Sequence, residues 1–143
     1  MENLIGEYTH KVDLKRRMFI PSEFRISNRW VITAGLEKCL FLFPELEWET
    51  ITKKISNLPL TKKAARSFLR IFLSRAKPIS CDSQGRILIP QKLADYASIS
   101  NECNVIGMIN RIEIWNPDKW EKYSVESEKK YSDLAEELTN LDL

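Results

Sequence analysis

Two decapeptides in this 143-residue chain are near-copies of one another. "VDLKRRMFIP" runs from Val12 to Pro21, and "CDSQGRILIP" runs from Cys81 to Pro90. In each, an Asp is followed four positions later by an Arg, then by an apolar triplet ending in Ile, then by Pro. An Asp at a strand end can accept hydrogen bonds from backbone N–H groups just downstream and so close a turn. Gly85 offers the second turn a position where φ can be positive without steric cost. The Arg then has two uses. It can pair with the Asp as a structural ion pair, or it can point outward. An outward guanidinium suits bidentate contact with phosphate, and with guanine O6/N7 in the DNA major groove. The residues alone leave both uses open. If the two turns share one edge, Lys15, Arg16, Arg17 and Arg86 form one basic patch.

The elements that must hold these turns repeat as well. Asp13, Arg17 and Ile20-Pro21 match Asp82, Arg86 and Ile89-Pro90, and further on Gly35, Phe43, Trp48 and Glu49 match Gly107, Trp115, Trp120 and Glu121. Each half therefore has a turn, an Ile-Pro step, an apolar strand pair and a closing Trp-Glu. Short strands alternate with short helices and no long crossover intervenes, which favours a small mixed β-barrel over a doubly wound sheet. Pro44 should start a helix through about Asn57, with Leu46, Ile51 and Ile55 on its apolar side. "TKKAARSFLRIFLSRA" reads as a helix with Ala65, Phe68, Leu69 and Phe72 in one stripe, widened by Ile71 and Leu73, and packed between elements or against another chain. The C-terminal segment "EKYSVESEKKYSDLAEELTNLDL" is helix-prone and acidic.

Composition narrows the function. The net charge is only +2, yet residues 50–92 hold ten Lys/Arg against Asp82 alone, while residues 93–143 hold five against eleven acids. A basic middle with an acidic tail suits an anionic partner, though a solvated helix face would also place lysines there. No apolar run approaches the roughly 18–20 residues that span a membrane, and the N-terminus lacks the layout of a signal peptide, so a cytoplasmic protein is expected. Cys39, Cys81 and Cys103 are scattered, without a CxxC pair, and read as free thiols. His10 is the only histidine. No P-loop, GxGxxG, HExxH or nucleophile elbow is present. The expectation is no enzyme, no catalytic residue, no cofactor, no metal and no small-molecule substrate.

Taken together, "VDLKRRMFIPSEFR", "CDSQGRILIP", "GLEKCLFLFPELEWE", "LPLTKKAARSFLRIFLSRA" and "IEIWNPDKWEKY" resemble the MraZ family, from about Gly6 to Tyr123. The resemblance implies a mixed α+β, mainly β fold: two tandem SpoVT-AbrB-like half-domains forming a pseudo-twofold double-split β-barrel with peripheral helices. The units would be residues 5–49 and 76–121, with a helical linker at 50–75 and an acidic helical tail at 122–143. It implies a nucleoid-associated transcriptional regulator, usually a repressor, of the bacterial division and cell-wall gene cluster. Such a protein binds short direct repeats in promoter double-stranded DNA as a ring-shaped homo-oligomer. The family's turn residues fall on Asp13 and Arg17, on Asp82 and Arg86, and on Lys15. Arg16 departs from the pattern, standing where the second turn has Gly85. A toxin-antidote-like interaction module is the alternative.

Overall fold

The computed structural model describes residues 3–142. Among the described residues there are eight strands: β1 (Leu4–Lys11), β2 (Arg17–Phe19), β3 (Arg29–Ala34), β4 (Leu40–Pro44), β5 (Lys77–Ser80), β6 (Arg86–Leu88), β7 (Glu102–Ile109) and β8 (Ile112–Trp115). Five α-helices accompany them: α1 (Glu45–Ile55), α2 (Lys63–Ser74), α3 (Gln91–Ala97), α4 (Pro117–Lys129) and α5 (Tyr131–Glu137). The fold is mixed, mainly sheet.

Local chemistry explains the helix ends. Pro44 and Pro90 immediately precede α1 and α3, where their extended ψ turns the chain into the first turn. In α1 the acidic Glu45 and Glu47 sit in the first turn and Lys53 and Lys54 in the last, which complements the helix dipole. Asn116 caps α4 by accepting from the Lys119 N–H at 3.0 Å, with Pro117 in the first turn. α3 stops at Ser98, which takes a left-handed φ of 56°. The expected acidic tail helix is two helices, α4 and α5, broken at Lys130.

The sheet order is β1-β7-β8-β4-β3-β5, antiparallel at every step, and β2 pairs with β6 in a separate ribbon. Exchanging each strand for its repeat partner turns the six-strand order into its own reverse. The register obeys the same exchange. Leu40 pairs with Ile114 and Leu42 with Ile112; Arg17 pairs with Leu88 and Phe19 with Arg86. The pseudo-twofold axis thus passes between Phe41 and Glu113 in the sheet, and between Met18 and Ile87 in the ribbon. The edge strands are exchanged between halves: β1 lies on β7, and β5 lies on β3. Hydrogen bonding does not close the expected barrel. The ladder is open, with β1 and β5 at its ends, and the ribbon touches both ends, β2 beside β1 and β6 beside β5.

Side chains alternate across β4 and β8 to build two cores. Leu40, Leu42, Ile112 and Ile114 face the ribbon and pack with Met18, Ile20, Ile87 and Ile89. Phe41, Phe43 and Trp115 face the other way and pack with Phe72, Trp48, Ile51, Ile55 and Trp120 from the helices. The repeated Trp48 and Trp120 therefore meet one cluster. Leu46, expected on the buried side of α1, is 70% exposed, and Glu47 is buried instead. The helical phase puts Glu47, Ile51 and Ile55 in one row and turns Leu46 outward. On α2 only Phe72 is buried, stacked between Trp48 and Phe68, and Ile71 and Leu73 stay exposed.

Candidate nucleic-acid interface

Each turn is closed by its Asp in the same way. Asp13 Oδ1 accepts from the backbone N–H of Lys15 at 2.9 Å and of Arg17 at 2.8 Å. Asp82 Oδ1 accepts from those of Gln84 and Arg86, both at 2.9 Å. The second carboxylate oxygen then takes the Arg side chain: Arg17 Nε lies 2.7 Å from Asp13 Oδ2, and Arg86 Nε lies 2.8 Å from Asp82 Oδ2. Paired backbone bonds finish the turn, from Asp13 to Arg17 at 3.0 Å and from Asp82 to Arg86 at 2.8 Å. These bonds hold both carboxyls below the usual carboxylate range, chiefly through the N–H groups of Arg17 and Arg86 respectively.

Of the two uses open to the Arg side chains, both turns display the ion pair with Asp. The ion pair engages only Nε. Each guanidinium is held by its own Asp through Nε. Lys15 and the fully exposed Leu14 form the tip of the first turn. Arg16 adopts φ 62° and Gly85 φ 82°, so the first turn has the shape of the second despite its non-glycine residue. That left-handed backbone costs Arg16 about 1–2 kcal/mol.

β2 and β6 hold the two turns at opposite ends of one short antiparallel ribbon. Met18 and Ile87 point into the core, and Arg17, Phe19, Arg86 and Leu88 share the outer face. Because Arg17 stands opposite Leu88 and Arg86 opposite Phe19, the two arginines are diagonal neighbours, about 7–8 Å apart along the sheet. Both line one open groove of about 530 Å³, together with Asp13, Phe19, Lys11 and Glu102. The Arg86 guanidinium lies 5.8 Å from the centre of the Phe19 ring, within cation–π range. Sequence reasoning missed Phe19 and Leu88, although a two-residue period from Arg17 and Arg86 places them on this face. It also missed Arg25, whose guanidinium reaches the second turn from another element.

The thiols lie outside this face. Burial pushes Cys39 and Cys103 up to about 12, and Cys103 sits 3.2 Å from the Met18 sulfur within the core. No described helix is long and apolar enough to cross a membrane.

Fold and turns together define a class: a tandem, pseudosymmetric two-copy protein whose halves exchange edge strands and jointly present a ribbon bearing two Asp-closed Arg turns. The chain belongs to the MraZ family. The family model, described as "MraZ protein, putative antitoxin-like", matches it twice in succession, over residues 4–71 and 72–142.

Proposed function

We propose that this protein is a sequence-specific DNA-binding transcriptional regulator, acting as a repressor on promoter repeats of the division and cell-wall gene cluster. The observation that carries this reading is the pair of Asp-oriented arginines, Arg17 and Arg86, on the outer face of one two-stranded ribbon. A two-stranded ribbon fits the major groove, where an oriented guanidinium donates to guanine O6 and N7. Lys15 and Arg16 add phosphate contacts that set position rather than sequence. The duplicated units are residues 5–49 and 76–121, and the protein works in the cytoplasm on the nucleoid.

Self-assembly into a ring multiplies weak half-site contacts through local concentration. Charge and exposed apolar surface support it. α2 and its flanks expose Leu60, Ile71 and Leu73 among Lys62, Lys63, Arg66 and Arg70. The tail exposes Tyr131, Leu134 and Leu138 among Asp133, Glu136 and Glu137. Two different complementary surfaces on one chain give a head-to-tail contact, which closes into a ring when the rotation permits. The same tail stripe favours a second reading, an antidote-like module that captures one protein partner, in keeping with the family's description.

The test is electrophoretic mobility shift with DNA from upstream of the protein's own gene at two salt concentrations. A shift at low salt that weakens steeply at high salt is expected, since each neutralised phosphate adds about 0.9 to the slope of log K against log salt. Arg17→Ala and Arg86→Ala should fold and bind that DNA more weakly. Absence of a shift at low salt overturns the DNA reading. A stoichiometric protein partner, recovered without DNA, supports the second.

A further inference from the structure

The two turns differ at one position, and the difference is compensated elsewhere in the chain. Around Arg16 and Gly85 the backbone obeys the pseudo-twofold exchange: the Ile89 N–H donates to the Arg16 carbonyl at 2.9 Å, and the Ile20 N–H to the Gly85 carbonyl at 3.2 Å. Arg16 also reaches across the ribbon, where its Nε donates to the Ile89 carbonyl at 3.0 Å. Exchange of the halves turns that contact into one from Gly85 to the Ile20 carbonyl, which a glycine cannot make. The Ile20 carbonyl nevertheless accepts a guanidinium. Arg25 Nε donates to it at 2.9 Å.

Arg25 also fills the space that Gly85 leaves. A Cβ added to Gly85 would stand 2.9 Å from Arg25 Cζ and 3.1 Å from its Nε and Nη1. The residue arrives there from a single 3-10 turn, Ser22–Phe24, that follows Pro21. Its backbone N–H donates to the Ser22 carbonyl at 3.3 Å, and Phe24 is buried beneath it. Pro21, the short turn and the Phe24 anchor together place the base of the Arg25 side chain.

Charge separates this pair of arginines from the other. Arg17 and Arg86 are each paired with their own Asp. Among the described residues no carboxylate lies within 4.0 Å of a charged nitrogen of Arg16 or Arg25. Each spends Nε on a neutral carbonyl and keeps its charge and its terminal amino groups. Arg25 is exposed and Arg16 half-buried.

We propose that Arg25 is a phosphate-binding residue of the second turn, the pseudosymmetric counterpart of Arg16, so that the ribbon carries one uncompensated guanidinium at each end. The ligand is the phosphate of a nucleic-acid backbone, and the proposal rests on the DNA reading above. A phosphate contact fixes position and contributes to affinity without selecting bases. Loss of Arg25 should therefore weaken binding to all duplexes alike, unlike loss of Arg17 or Arg86.

The test is fluorescence anisotropy with the full chain, using the duplex from upstream of its own gene and a scrambled duplex of equal length, across a salt series. Arg25→Ala should lower the salt slope by at least about 0.9, one phosphate per engaged subunit, and leave the ratio of affinities for the two duplexes unchanged. Arg25→Gln keeps an N–H donor for the Ile20 carbonyl without the charge. It should lose the same slope while preserving the thermal midpoint, so the result does not depend on how Arg25→Ala folds. The double variant Arg25→Ala, Gly85→Arg should regain slope, because it rebuilds the arrangement of the first turn. An unchanged slope in Arg25→Gln, with Arg17→Ala still impaired, overturns the assignment of Arg25 alone. Failure of the wild-type chain to bind either duplex at low salt overturns the DNA reading as well.

Discussion

Arg16 donates through Nε to the carbonyl of Ile89, 73 residues away in the chain, at 3.0 Å. The bond ties the first turn to the far end of β6 and gives a reason for an arginine at a left-handed position. Its φ of 62° costs about 1–2 kcal/mol, and the cross-ribbon bond returns about 1 kcal/mol of that.

Arg16→Gly removes the backbone strain, but it also removes the bond to Ile89 and adds freedom to the unfolded chain. The terms nearly cancel. Chemical denaturation should place the variant within about 1 kcal/mol of wild type, while its DNA affinity and salt slope fall through the lost cation.

The two turn carboxylates set an acid limit. Their folded values lie below the ordinary 3.8, because the N–H groups of Arg17 and Arg86 and the paired guanidinium groups favour the ionised form. The stability they contribute is present in full above 3.8 and is lost as pH falls through the depressed values. NMR signals of the Lys15 and Gln84 amides, both donors to these carboxylates, should shift at a lower pH than the ordinary carboxylate value of 3.8 would give. Asp13→Asn and Asp82→Asn should abolish that acid transition, turn by turn.

Gly107 pairs with Gly6 where β7 lies against β1. A Cβ there would stand 2.5 Å from the Ile5 nitrogen and 2.6 Å from the Leu4 carbonyl carbon, both backbone atoms that cannot swing aside. Gly107→Ala should destabilise the protein by about 2–3 kcal/mol, the cost of overpacking a rigid contact. A thermal midpoint equal to that of wild type would show that the β1–β7 pairing is looser than this.

The thiols should react in a fixed order. Cys39 and Cys103 are buried, and burial holds their thiols near 12, so little thiolate forms at neutral pH. Cys81 is only half-buried, and although burial raises its thiol as well, a hydrogen bond with Trp30 and the positive charge of Arg25 oppose that rise. A disulfide reagent followed by mass spectrometry should label Cys81 first. Labelling of Cys39 and Cys103 should require unfolding.

Self-association can be tested separately from DNA binding. Ile71 is half-exposed on α2 and Leu138 more so on the tail. Ile71→Glu and Leu138→Lys place a charge in each proposed contact and should each lower the sedimenting mass without changing the circular dichroism spectrum. An unchanged mass in both would remove α2 and the tail as the contacting surfaces.

Interactions between near neighbours in the chain can be read from the residues alone. The two Asp-closed turns involve partners two and four residues apart, so Asp13–Arg17 and Asp82–Arg86 are legible as repeated motifs. The helix starts after Pro44 and Pro90 and the alternation along Leu40–Pro44 are legible for the same reason. Other features arise from packing between distant segments. The exchange of β1 onto β7 and β5 onto β3, the open ladder beneath a ribbon, and the outward Leu46 follow from how two sheet faces share their apolar residues. Arg25 shows the distinction most sharply. Its sequence neighbours mark only a short turn after Pro21, and its place beside Gly85 exists only because antiparallel pairing of β2 with β6 carries the second turn to the end of the ribbon where β2 hands over to that turn.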